Sequence, residues 1–81
     1  MTVRTLFFAS YRDFAGTDQL DVELDGIARV HDLVALLRGR GGSWSRLPVE
    51  PVVAVNMEYA PLSTELSDGD EVAFIPPVSG G

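Results

Sequence analysis

The chain has 81 residues, enough for one domain and close to the lower limit for a core without covalent staples. It contains no cysteine, which excludes a disulfide framework, a thiolate nucleophile and any Cys-based zinc or iron–sulfur site. The net charge is −6 and every basic residue is arginine, which disfavours nucleic acid and anionic membrane as partners and favours a protein with a basic face or pocket.

Hydrophobic residues make up 46% of the chain, which places it with folded domains rather than disordered segments. No apolar run approaches the roughly 20 residues of a membrane span, and the N-terminus has no signal-peptide pattern. A cytoplasmic location is therefore expected. Without lysine there is no side-chain amine to accept an isopeptide bond, so lysine-linked polymers of this chain are excluded.

Val3 to Ala9 is β-branched and aromatic and reads as a first strand. One face would carry Val3, Thr5, Phe7 and Ala9, the other Arg4, Leu6, Phe8 and Ser10, so both faces hold large apolar groups. Asp13 to Asp18, around Gly16-Thr17, reads as a loop. Leu20 to Leu24 alternates strictly and is expected to be the antiparallel partner of the first strand. After Asp25-Gly26, Val30, Leu33, Val34 and Leu37 recur at helical spacing and predict a helix that ends at Gly39 and Gly41-Gly42. Its start lacks an ideal cap, because Arg29 stands where Ser, Thr or Asp is preferred. Gly39 to Pro51 reads as a loop with a short helical turn around Trp44 to Leu47. Pro51 to Asn56 is a candidate inner strand, Asn56 to Pro61 turns the chain, and Ser67-Asp68-Gly69-Asp70 is a turn before a last strand, Glu71 to Ile75.

This order predicts an α+β fold of β-grasp (ubiquitin-like) type, a mixed sheet of four to five strands with one main helix across one face. Residues 1–75 would form the domain and 76–81 a flexible tail. The first and last strands would lie side by side at the sheet centre, leaving Leu6, Phe8, Tyr59 and Ile75 on an uncovered face suited to docking. The competing arrangement is that the loop 39–51 folds over that face.

The side chains offer little chemistry. His31 has no Cys or second His to complete a pair or a metal set, so a structural role is expected. Asp68, Asp70 and Glu71 lack the spacing of a calcium loop and read as a solvated turn. No serine has an evident activating base, and Gly39-x-Gly41-Gly42 follows a helix instead of opening one, so it is not a phosphate loop. The distinctive group is the C-terminal carboxylate. Pro76-Pro77 ends strand pairing and favours an extended spacer, and the last four residues can project about 13–14 Å beyond it. Gly80 and Gly81 have no Cβ, so the tip can enter a narrow channel.

Leu6-Phe7-Phe8-Ala9-x-x-Arg12 and Asp68-Gly69-Asp70-Glu71-Val72-Ala73-Phe74-x-Pro76-Pro77-Val78-x-Gly80-Gly81 resemble the MoaD branch of the MoaD/ThiS sulfur-carrier family, the small subunits of molybdopterin synthase. The resemblance in length and element order covers the whole chain, and its specific part is the last fourteen residues. It implies that an E1-like enzyme uses ATP to adenylate the carboxylate of Gly81 and that sulfur then replaces the adenylate. The tail would enter the large subunit, with which the chain would form a heterotetramer, and donate sulfur to cyclic pyranopterin monophosphate. The chain would be a non-catalytic sulfur-donor subunit that binds no cofactor itself. Gly81 and Gly80 would be the reacting end, Phe8, Arg12 and Ile75 would match the partner-contact surface, and Pro76, Pro77, Val78 and Ser79 would carry the end into the partner. Ile75 departs from the aromatic residue common at its position, and the helix start and the 39–42 glycines are also atypical. The alternatives are a β-grasp carrier for thiamin thiazole, cysteine or tRNA thiolation, and an interaction module whose Gly-Gly end is incidental.

Overall fold

The computed structural model describes residues 1–77; the expectations for Val78, Ser79, Gly80 and Gly81 lie outside the described residues. Strands β1 (Thr2–Phe7), β2 (Gln19–Glu23), β3 (Val52–Val55), β4 (Glu58–Ala60) and β5 (Glu71–Ile75) form one mixed sheet in the order β2-β1-β5-β3-β4. β1 and β5 run parallel at its centre, and the other neighbours are antiparallel. Helices α1 (Ala9–Ala15) and α2 (Val30–Arg38) complete the fold, with a 3-10 turn at Gly42–Arg46. This is the expected β-grasp arrangement, with one helix more than the sequence reading allowed.

Alternation along the strands sorts residues between two faces. Val3, Thr5 and Phe7 of β1, Val53 of β3, and Val72 and Phe74 of β5 are buried beneath α2, whose Val30, Leu33, Val34 and Leu37 meet them. The one buried polar side chain among the described residues, Thr5, donates its hydroxyl to the Leu20 carbonyl at 2.5 Å, so its burial leaves no orphaned group.

α2 starts without a capping side chain because other groups take up its free amides. The Asp32 carboxylate accepts from the Arg29 N–H at 2.8 Å, and the Val30 and His31 amides donate to the carbonyls of Thr64 and Leu62, each at 3.0 Å. The cap that the local sequence lacks is thus supplied by the 62–64 segment.

Two expectations require correction. The first strand ends at Phe7, and Ala9, expected in that strand, forms α1 together with residues 10–12 and the start of the expected loop, Asp13 to Ala15. Tyr11, Phe14 and Ala15 recur at i, i+3 and i+4 against the core, and Gly16 closes the helix at φ 74°, its N–H donating to the Arg12 carbonyl. The turn expected over 56–61 is tighter: Asn56 and Met57, both at positive φ, form it alone, and β4 follows at once.

Candidate functional site: an open sheet face beside the tail root

The loop 39–51 does not cross the open face. Trp44 packs edge-on against Phe7 and Phe14, at centroid distances of 5.4 and 5.9 Å, and Leu47 is fully buried, so this segment closes the end of the core on the helix side. The opposite face stays uncovered.

Register sets what that face presents. Leu6 pairs with Ala73, Ala73 with Ala54, and Ala54 with Tyr59, which lines up one outward row across four strands. At about 4.8 Å per strand the row is roughly 14 Å wide. The two alanines make a shallow floor between Leu6 and Tyr59. One step toward the C-terminal end of β5, Ile75 pairs with Val52, and Phe8 continues the outward alternation of β1. Phe8 is 48% exposed, Val52 55% and Tyr59 77%, values too high for core residues and notable for three large apolar groups on one sheet face. The opposite end of the face is polar, where Arg4 lies 4.0 Å from the Asp21 carboxylate and pairs in register with Glu71. Apolar surface is therefore concentrated where the chain leaves the sheet through Pro76 and Pro77.

The sequence-predicted residues fall as follows. Leu6, Phe8, Tyr59 and Ile75 share the open face. Pro76 is half-buried and Pro77 exposed at its apolar end. Arg12, on α1, is exposed and lines a hollow of about 280 Å³ with Leu6, Phe8, Asp18 and Gln19, so it flanks the same face at its β1 side. Val52, Ala54 and Ala73 were missed. The signal lay in the alternation around Val53 and Phe74, whose inward side chains put these neighbours outward.

The carboxylates of Asp68 and Asp70 are engaged by neighbouring donors. Asp68 accepts from the Thr2 N–H at 2.8 Å, Asp70 from the Ser67 N–H at 2.7 Å and from the Asn56 side-chain amide at 3.0 Å. His31 lies 3.4 Å from Asp32 on the exposed first turn of α2. Burial pushes the Tyr11 phenol above its usual pKa.

An open β-grasp sheet with its apolar end beside Pro76 and Pro77 defines a small protein of the ubiquitin-like fold class. Residues 5–81 match the ThiS family, and the chain belongs to it. The molybdopterin synthase sulfur carrier subunit of Chlamydomonas reinhardtii is 40% identical over 83 residues, with 100% of each chain covered. Among solved structures, a putative molybdopterin converting factor subunit 1 from Pyrococcus furiosus superposes with a TM-score of 0.82 at 32% identity, covering 96% of this chain and 99% of that one. SAMP1 of Haloferax volcanii, a small archaeal modifier protein, gives 0.81 at 32% identity with both chains fully covered.

Proposed function

We propose that this chain is the sulfur-carrier subunit of molybdopterin synthase, acting in the cytoplasm. Its open face docks on the large subunit through Leu6, Phe8, Tyr59 and Ile75, with Arg12 at the margin, and Pro76 to Ser79 lead Gly80 and Gly81 into the partner. An E1-like enzyme joins the Gly81 carboxylate to AMP at the expense of ATP, releasing pyrophosphate. A sulfur nucleophile then displaces AMP and leaves a thiocarboxylate, which donates sulfur to cyclic pyranopterin monophosphate. An unactivated carboxylate is a poor acyl donor, and the mixed anhydride supplies the leaving group. No cofactor is held by the chain itself, and ATP is consumed by the activating partner.

One observation carries this reading: the apolar end of the uncovered face lies at the root of the C-terminal extension, in a chain 40% identical throughout its length to a named molybdopterin synthase sulfur carrier. A partner seated on Phe8, Val52 and Ile75 is already beside Pro76, where the chain leaves the sheet. Mass spectrometry after incubation with the activating enzyme, ATP and a sulfur source provides the test. Replacement of one oxygen by sulfur on the C-terminal peptide is expected, and the chain lacking Gly81 stays unmodified while keeping its fold. Equal modification of the truncated chain would overturn the reading.

The likeness to SAMP1 favours one second reading, in which the same activated end serves another acceptor. Modification would then proceed, but the large subunit of molybdopterin synthase would not bind.

A further inference from the structure

Positive charge in this acidic chain is concentrated in one place. Arg38, Arg40 and Arg46, half of all the basic residues, fall within nine positions, and no acidic residue occurs between Asp32 and Glu50. Among the described residues the ion pairs are Arg4 with Asp21 and His31 with Asp32, so none of the three arginines lies within 4.0 Å of a carboxylate.

Two of the three are also held in place. Arg38 donates to the carbonyl of Leu47, the residue after Arg46, at 2.5 Å. The Arg40 guanidinium sits 5.3 Å from the centre of the Trp44 ring. Trp44 is itself wedged against Phe7 and Phe14, and the Ser43 hydroxyl donates to the Phe14 carbonyl at 2.7 Å, fixing the 3-10 turn on α1. A solvated arginine normally loses rotamer freedom on binding, and Arg38 and Arg40 have lost part of it already. Arginine in place of lysine matters as well, because a planar guanidinium grips a carboxylate through two parallel hydrogen bonds.

The location completes the case. The ring stack from Trp44 to Phe7 to Phe74 spans the end of the core where β5 finishes, so the arginines lie at the same pole as Pro76, on the helix side. A protein that encloses the tail root meets the apolar sheet face on one side and this basic edge on the other.

We propose that Arg38, Arg40 and Arg46 form a second contact surface that binds an acidic stretch on a protein that handles the tail. This inference rests on the sulfur-carrier reading above. It adds a charged edge, separate from the apolar sheet face, that speeds association and orients the partner.

The test uses the full chain against the purified large subunit of molybdopterin synthase and against the activating enzyme, by surface plasmon resonance. Arg40→Gln/Arg46→Gln is compared with Arg40→Lys/Arg46→Lys and with Ile27→Glu/Ser67→Glu, which reaches the same net charge as the Gln pair by changes at exposed positions elsewhere. At low salt the Gln pair is expected to slow association with at least one of the two proteins by roughly 5- to 20-fold, and the difference should vanish near ~0.5 M salt. The Lys pair should recover only part of the loss, and the Ile27/Ser67 control should bind like wild type. Unchanged rates for the Gln pair toward both proteins, or an equal loss in the control, would overturn the inference and leave the sulfur-carrier reading standing. Failure of the wild-type chain to bind either protein would overturn both.

Discussion

Phe7 and Phe74 stack across the central parallel strands, with ring centroids 5.5 Å apart and planes inclined by only 8°. Both rings are essentially fully buried, and the residue after each partner strand's aromatic, Phe8 and Ile75, faces the opposite side. The pair thus joins the core to the open face: it fixes where the chain leaves the sheet at Pro76.

Phe74→Ala should accordingly destabilise the fold by about 3–5 kcal/mol, through lost burial and the cavity left beneath α2. Urea unfolding followed by Trp44 fluorescence measures this directly. In a domain of this size that is a large share of the total stability.

Phe8→Ala and Tyr59→Ala should behave in the opposite way. Both side chains are largely exposed, so each change should move Tm by only a few degrees. If they anchor the large subunit, each should weaken that complex by about 10- to 30-fold, or ~1.4–2 kcal/mol. Calorimetric titration alongside thermal melts separates the two effects. A large drop in Tm with unchanged affinity would contradict the assignment of the face.

Much of this was legible in the sequence, and the misses have physical causes. Strict alternation located β2 and 3.6-residue spacing located α2, whereas β1 stood out by its β-branched and aromatic composition and β5 as an apolar run after the Ser67–Asp70 turn. α1 was hidden because its seven residues follow a strand without a break in hydrophobicity, and Phe8 at its N-cap provides no capping side chain. The cap of α2 was invisible for a different reason: its hydrogen-bond partners at Leu62 and Thr64 are some thirty residues away in sequence. At the open face, Leu6, Phe8, Tyr59 and Ile75 stood out as large apolar groups. Ala54 and Ala73 did not, since only cross-strand register shows that they floor the same row.

Met57 holds φ at 73° in the β3–β4 turn with its side chain 90% exposed, so it incurs backbone strain without compensating burial. Met57→Gly should raise stability by about 0.5–1 kcal/mol, less than the full strain because glycine also loosens the unfolded chain. The expected readout is a rise of a few degrees in Tm.

Tyr11 gives the fold an alkaline limit. Burial raises its pKa in the folded state above the unfolded value of 10.0, so the folded chain keeps the phenol proton at pH values where the unfolded chain has lost it. The associated stability is intact below pH 10.0 and is lost as pH rises through the folded-state pKa. Tyr11→Phe should therefore flatten the fall in stability above that pH, as denaturant titrations at a series of alkaline pH values would reveal.

The sulfur-carrier role is tested most directly by reconstitution. The chain bearing a chemically installed thiocarboxylate at Gly81 is mixed with the molybdopterin synthase large subunit and cyclic pyranopterin monophosphate, and molybdopterin is quantified. Product from the thiocarboxylate form and none from the plain carboxylate is the predicted result. No product from either, with a known small subunit active in parallel, would contradict the assignment to molybdopterin synthesis.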